Sequence, residues 1–473
     1  MGRRHDGGRN LVDGPVKLET PFPYQHDGAT WLATMPHALL ADEMGLGKSA
    51  QVVMACDMVQ AFDILIVCPA AVRINWDREF TRFSPMDRPC TVLFTGKDRP
   101  APGVNVVSYD LLTNDKIKAA LKARAWDVLV LDEAHYLKER SAKRTKAIYG
   151  HAKHPGIMHS ARRTWRLTGT PMPNNASELF THLKSAGIET RPYWDFVFDF
   201  CAGFDGDYGY KITGHKNTDK LKGMLAQFML RRKKDDVLTQ LPPITFSEVT
   251  VERSHVDLDP WFYENWRPIG VDAFLKELKD IDQSLKTGLN AIRRGHHHNN
   301  EDSLRLLESY SKSTSTLRRY IGLAKLNRCL DIIEEELESK AIDKIVLFAM
   351  HQQVIENARL RLKKFHPVTL FGGTPAKKRQ EHIDKFQKDN HTRVFIGQIV
   401  AAGTGITLTR AHEVAFLEAD WVPANNAQAA MRCHRVGQTR PVRVRFFTCA
   451  GSVDEEVMRV VVHKTREIAK IMD

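Results

Sequence analysis

The sequence predicts an α/β protein built from two parallel-sheet lobes with helical insertions between them. Three observations lead there. Short apolar runs alternate with amphipathic stretches twice along the chain, and strands alternating with helices close into parallel sheets covered on both faces. The length of 473 residues corresponds to about three domains, or two large ones, at roughly 150 residues each. A composition 42% hydrophobic and 27% charged can fill cores of that size, which excludes wholesale disorder.

Residues 1–19 are rich in Gly, Arg and Asp without a period and read as a flexible tail. The first lobe is predicted over 20–180, with strands at 63–68, 91–94, 104–107, 127–131 and 165–167 and helices at 49–60 and 73–83. Residues 181–335 read as helical insertions and a connector, with aromatic islands at Tyr193-Trp194-Asp195-Phe196 and Trp261-Phe262-Tyr263. The second lobe, 336–473, carries strands at 344–349, 368–371, 393–396, 413–417 and 442–448, helices at 376–387 and 425–435, and a C-terminal helix. No short-period repeat is visible.

Apolar runs such as Ile345-Val346-Leu347-Phe348-Ala349-Met350 are far shorter than the ~20 residues a membrane helix needs. The opening residues lack the apolar stretch of a secretory signal. Seven scattered cysteines form no C-x-x-C pair, so neither a disulfide framework nor a zinc ribbon is expected. These features point to a soluble intracellular protein without a membrane partner. The net charge of +12 makes a polyanion the first partner to consider.

The chemistry concentrates in four segments. In Ala41-Asp42-Glu43-Met44-Gly45-Leu46-Gly47-Lys48-Ser49, an apolar run leads through a Gly-containing turn into a helix. Gly45 and Gly47 let backbone N–H groups curl around phosphate oxygens. Lys48 can reach the β and γ phosphates, Ser49 can place its hydroxyl on Mg²⁺, and the helix start adds its positive dipole end. Asp42 stands where the first Gly of the usual phosphate loop would be. Val128-Leu129-Val130-Leu131-Asp132-Glu133-Ala134-His135 reads as a buried strand ending in two carboxylates. Asp132 is placed to hold Mg²⁺, and Glu133 to orient and deprotonate water, the two needs of phosphoryl transfer.

In the second lobe, Gln428 to Gln438 reads as a helix ending at Gly437, with Arg432 and Arg435 three apart on one face. Two guanidiniums there suit a triphosphate held by the neighbouring lobe. Ala402-Gly403-Thr404-Gly405-Ile406 precedes them as a second Gly-rich turn, and Gly405 joins the nucleotide-binding set. Two histidine groups, His296-His297-His298 and His151, His154 and His159, read as solvated loops rather than metal sites.

Taken in order, Lys48, Asp132-Glu133-Ala134-His135, Leu167-Thr168-Gly169-Thr170-Pro171, Gly403-Thr404-Gly405 and Gln428…Arg432…Arg435…Gly437-Gln438 resemble the superfamily-two helicases. Asn75-Trp76 and His434-Arg435-Val436-Gly437-Gln438 narrow the resemblance to the Swi/Snf-type double-stranded DNA translocases. Phe200-Cys201, Gly214, Leu230-Arg231-Arg232-Lys233-Lys234-Asp235-Asp236-Val237-Leu238 and Gln240-Leu241-Pro242-Pro243 are similar to the HARP-type annealing helicase subgroup. The accessory HARP domain is not expected, since a short tail precedes Tyr24.

The resemblance implies two RecA-like lobes that use ATP and Mg²⁺. It implies that Gln25 reads the adenine edge, that Arg432 and Arg435 are arginine fingers, and that His135, Thr168, Gly169, Thr170 and Gln428 couple hydrolysis to lobe motion. It implies DNA contacts at Arg73, Ser108, Thr374, Thr404 and Trp421. The basic run 231–234 falls at the inter-lobe connector, as a DNA-facing segment or a brace. Four positions depart from the family pattern: Ser49 replaces the commoner Thr, Pro173 stands where Gln is frequent, and Ala430-Met431 replaces an acidic pair.

The function expected is ATP-dependent translocation on double-stranded DNA, remodelling or reannealing forked or branched DNA or displacing bound protein. Little sequence preference is expected. The alternatives are a strand-separating DNA or RNA helicase and an ATP-gated nucleic-acid-binding scaffold. A monomer is expected, in the cytoplasm of a bacterial or phage-infected cell, or in the nucleus if the source is eukaryotic.

Overall fold

The computed structural model describes residues 18–151, 154–206, 209–238, 240–254, 280, 311–403, 405–455, 457–458 and 461. The first sheet is assembled from β1 (His37–Leu40), β2 (Ile64–Cys68), β3 (Cys90–Val92), β4 (Val104–Ser108) and β5 (Trp126–Asp132). A small antiparallel hairpin follows, β6 (Gly150–His151) with β7 (His154–Pro155), and then β8 (Ala161–Leu167) rejoins the sheet. A second antiparallel hairpin pairs β9 (Cys201–Gly206) with β10 (Gly209–His215). β11 (Met229–Leu230) closes the first sheet, whose order is β11-β1-β8-β5-β2-β4-β3 with every pairing parallel.

The second sheet comprises β12 (Ile244–Val251), β13 (Ile345–Ala349), β14 (Val368–Leu370), β15 (Val394–Gln398), β16 (Glu413–Phe416) and β17 (Val442–Cys449). Its order is β12-β17-β16-β13-β15-β14, again all parallel. Strand alternation sends neighbouring residues to opposite faces. In the first sheet, Ile64, Ile66, Val128 and Val130 join one core with Leu32 and Val52. Leu65, Val67, Leu129 and Leu131 join the other with Ile117, Leu121 and Ile148. In the second, Leu347 packs with Leu330, while Phe348 packs with Phe386. Each such side chain contributes about 1.5–3 kcal/mol on full burial.

The structure corrects the expected organisation in two places. Residues 181–335, read as helical, contain the β9–β10 hairpin, β11 at one edge of the first sheet and β12 at one edge of the second. The connector therefore stitches both sheets. The helix expected over 425–435 spans Pro423–Ala430 only. Beyond it the N–H groups of Arg432 and Cys433 bond three residues back, to Ala429 and Ala430, which tightens and ends the helix. Arg432 and Arg435 thus sit in the turns after the helix, not on its face. The aromatic island at 261–263, the histidines at 296–298 and most of the tail lie outside the described residues; in the region of the expected C-terminal helix, residues 453–455, 457–458 and 461 are described and helical. Among the described residues, no helix is long and apolar enough to cross a membrane.

Candidate active site

Parallel packing sets the C-terminal ends of β1, β8 and β5 side by side, the edge where α/β sheets bind ligands. Residues 41–47 leave β1. Gly45 and Gly47 adopt φ of 91° and 70°, a left-handed geometry that costs a side-chain-bearing residue about 1–2 kcal/mol. Gly47 also caps the helix Lys48–Met58, so its N-terminal N–H groups open onto the loop. The Lys48 ammonium donates to the carbonyl oxygens of Asp42 at 2.7 Å and Glu43 at 3.2 Å. Burial pushes Lys48 down, while Glu133, Asp42 and Asp132 pull it up.

At the end of β5, Asp132 accepts the Trp76 indole N–H at 3.0 Å and the Glu133 N–H at 2.9 Å. Burial, then the adjacent Glu133, push Asp132 up. Glu133 has φ 51° and ψ 52°, a strained backbone of the kind that concentrates at functional sites. Burial works against its charge, but His135, Lys48 and Arg432 outweigh it and hold Glu133 below the usual carboxylate range. One Glu133 oxygen, Oε2, is buried without a hydrogen bond among the described residues, with His135 Nδ1 at 3.4 Å.

His135 Nδ1 lies 3.1 Å from the Thr168 hydroxyl, which accepts the Thr170 N–H at 3.1 Å. The Thr170 hydroxyl is buried without a hydrogen bond. A methyl group added at Gly169 would lie 2.4 Å from Met44 Cγ. The loop after β8 therefore rests directly on the phosphate-type loop after β1.

The opposite wall comes from the second lobe. Arg432 Nε donates to the Gln428 carbonyl at 3.0 Å, and Arg435 Nη1 donates to the Ile406 carbonyl and Thr407 hydroxyl at 3.0 and 3.1 Å. Burial, then Arg435, push Arg432 down; burial does the same to Arg435. Gly405, φ 67°, touches the first lobe. An added methyl group would meet Val72 Cγ1 at 2.0 Å, and its carbonyl accepts the Asn75 side-chain N–H at 2.9 Å. Gln25, Gly45, Gly47, Lys48, Ser49, Asp132, Glu133, Gly405, Arg432 and Arg435 line one cleft of about 630 Å³, within the size range of ligand sites. The donor set suits a triphosphate with a hard cation: an unbonded buried carboxylate oxygen, a hydroxyl at a helix start and three cations.

Several other predicted site residues make contacts within the protein. The Asp42 carboxylate is fully buried and turned from the loop. It accepts from Arg232 N and Nε at 3.1 and 3.0 Å and from Gln51 at 3.0 Å, so only its carbonyl serves Lys48. The Gln25 amide is spent within the protein, accepting from the Phe22 N–H at 3.0 Å and donating to the Leu46 carbonyl at 3.2 Å. Ser108, expected on DNA, is buried at the end of β4. Arg73 donates to the Leu93 carbonyl at 2.8 Å and lies over the Phe94 ring. The Thr374 hydroxyl closes a turn by accepting the Phe371 N–H at 3.1 Å, and Trp421 stacks under Arg318. Thr404 lies outside the described residues. His151 and His154 pair across the β6–β7 hairpin; no metal-holding group is found among the described residues.

Sequence reasoning gave no role to Trp76, Asn75 or Glu43. The basic run 231–234, read as a DNA-facing segment or a brace, was its signal for the contacts of the connector. Arg232 binds Asp42, and Lys234 bridges the lobes. The Lys234 N–H donates to Glu43 at 2.8 Å, and its ammonium donates to the His434 carbonyl at 2.8 Å.

Two parallel-sheet lobes, one bearing a phosphate-type loop and paired carboxylates and the other two arginines, define the class of two-lobed RecA-like proteins of helicase superfamily two. The SNF2-related domain matches residues 24–306 and the helicase conserved C-terminal domain matches residues 324–437. The chain belongs to the SNF2-related family, and that membership implies ATP use.

It is 30% identical over 459 residues to the SWI/SNF-related matrix-associated actin-dependent regulator of chromatin subfamily A-like protein 1 of Xenopus tropicalis, covering 95% of this chain and 44% of that protein. The Caenorhabditis elegans homolog is 30% identical, with 98% and 63% covered. The DNA annealing helicase and endonuclease ZRANB3 of Mus musculus is 29% identical, with 93% and 40% covered. The chain thus spans about two fifths to three fifths of the length of these relatives. The Sulfolobus solfataricus SWI2/SNF2 ATPase core in complex with dsDNA aligns at 23% identity and TM-score 0.42, covering 96% of this chain and 95% of that one.

Proposed function

We propose that the protein is an ATP-dependent translocase on double-stranded DNA that remodels or reanneals forked or branched DNA or displaces bound protein. One observation carries this reading: Lys48, Asp132 and Glu133 of one lobe and Arg432 and Arg435 of the other line a single cleft. A triphosphate held from both sides draws the lobes together. Loss of the γ-phosphate removes the arginines' partner and lets them part. Lobes that grip one duplex alternately convert that cycle into movement. The printed description of one relative, a DNA annealing helicase, supports DNA as the track.

In this reading Lys48 binds the β and γ phosphates, Glu133 orients water, and Arg432 and Arg435 stabilise the charge of the transferring group. Ser49 and Asp132 would hold Mg²⁺, which when bound neutralises phosphate charge. His135, Thr168, Gly169 and Thr170 link Glu133 to the loop at Met44, and Gln428 anchors Arg432. Gln25 and Asp42 hold the phosphate loop from behind. Arg73, Thr374, Thr404 and Trp421 remain the proposed DNA contacts. Gripping through phosphates makes binding indifferent to sequence and steeply salt-dependent. A monomer suffices for this cycle, because both walls of the cleft come from one chain.

The test is ATP hydrolysis titrated against single-stranded, duplex and forked DNA and RNA at two salt concentrations. The expected result is a low basal rate raised strongly by duplex or forked DNA. Stimulation by RNA alone, or by no nucleic acid, overturns the reading.

A further inference from the structure

A second basic site stands at the other edge of the second sheet. β17, β16, β13 and β15 are adjacent and parallel, so the residues just before each strand meet at one edge. Asp343 and Lys344 precede β13, Arg393 precedes β15, Arg410 approaches β16 and Arg440 approaches β17. With Lys340 they line a pocket of about 370 Å³ that shares no residue with the nucleotide cleft. Ligands of α/β sheets gather at the C-terminal edge, so the fold alone does not account for five cations facing one carboxylate here.

The donors are not exhausted. The buried Lys344 ammonium is committed to the carbonyls of Phe386, Asp389 and Thr392 at 2.6, 2.6 and 2.8 Å. Arg393 holds the carbonyls of Asp343 and Ile342 through Nε and Nη2. Arg440 reaches Asp343 through Nη1 at 3.2 Å and the Arg410 carbonyl through Nη2 at 3.4 Å. Arg410 uses only Nη2, on Asn390 at 3.1 Å. That leaves the Lys340 ammonium, Arg393 Nη1, Arg440 Nε, and Nε and Nη1 of Arg410 without a hydrogen bond among the described residues. Burial first, and then the Arg410 charge, push Lys344 down to about 8 against the pull of Asp389.

We propose that this pocket holds backbone phosphate of a second DNA segment, one arm of a branched substrate whose other arm runs through the lobes. The proposal rests on the reading of the protein as a DNA translocase. Guanidinium forks match phosphate oxygens. Lys340 and Arg410 are exposed at the rim, open to successive phosphates along a chain rather than closed around one free ion.

The test uses the whole chain with Lys340→Ala/Arg410→Ala. Both side chains are exposed, and the Arg410 N–H that donates to Gln387 at 3.1 Å survives the change. Affinity for a labelled three-arm DNA and for a blunt duplex the length of one arm is followed across salt. The variant is expected to bind the three-arm DNA on the order of tenfold more weakly, with a salt slope shallower by about two, one for each cation removed. ATP hydrolysis stimulated by the blunt duplex is expected to stay at the parent rate. An unchanged slope on three-arm DNA overturns the proposal. Protection of Lys340 from acetylation, read by mass spectrometry, separates the sources of phosphate. Protection by three-arm DNA supports the proposal, and protection by inorganic pyrophosphate alone overturns it. A parent protein that no DNA stimulates would end the translocase reading, while the binding slopes would still decide the pocket.

Discussion

Replacing Lys234 with methionine removes a buried ammonium that spans the two lobes. Lys234 is 2% exposed. Burial is the first cause pushing it down to about 7 from 10.5, with Arg435, Lys48 and Arg432 adding repulsion and Glu43 pulling back. A cation whose folded pKa is depressed destabilises the fold. That cost is complete below the folded value and vanishes above the unfolded one. It amounts to about 5 kcal/mol below pH 7 and about 2 kcal/mol at pH 9. Methionine of similar volume removes the cost but leaves the His434 carbonyl without its donor, a loss of about 1–3 kcal/mol. Lys234→Met is therefore expected to be more stable than the parent at pH 6, with an advantage that shrinks by about 3 kcal/mol by pH 9. Denaturant unfolding at the two pH values measures this. ATP turnover should fall even as stability rises, because the turn carrying Arg432 and Arg435 loses its tether to the first lobe. An advantage independent of pH, or a variant less stable at pH 6, refutes the reasoning.

Glu133→Gln keeps shape but not charge; hydrolysis is expected to fall by about 10²–10⁴ with nucleotide binding retained in a fluorescent-nucleotide assay. An unchanged rate removes Glu133 from its role. Arg432→Ala and Arg435→Ala should each lower turnover by about 10³ or more without weakening DNA binding, as single-turnover kinetics and DNA titration would show. Gly405→Ala places a methyl group 2.0 Å from Val72 Cγ1, which forces the lobes apart at Asn75. Its turnover should drop while nucleotide affinity, set mainly by the first lobe, changes little.

Much of the fold is legible because its central strands are continuous apolar runs. Every residue of β2, β4 and β13 is buried, and such runs survive any register. The edge strands β3 and β14 are legible as well, but the two edge strands that the connector supplies are not. β11 has two residues, and β12 is mostly solvent-facing, with a single buried residue. Its membership follows from pairing with β17 along eight positions, a contact nearly 200 residues distant in sequence. The early end of the helix at Ala430 was equally hidden. The residues beyond it are compatible with helix, but the His434 carbonyl is taken by Lys234 and the Arg432 side chain folds back on Gln428.

The sequence by itself determined which groups can do the chemistry. Gly45, Gly47 and Lys48, the carboxylates 132 and 133 and the arginines 432 and 435 have functions that depend on residue type and short spacing, and short spacing fixes local geometry. Only the tertiary structure decided how they are aimed. Trp76 orients Asp132, Arg232 draws the Asp42 carboxylate off the phosphate loop, and Lys234 and Asn75 tie one lobe to the other. These are contacts between residues tens to hundreds of positions apart. Their partners are chosen by how two sheets pack, and no local pattern in the chain encodes that choice.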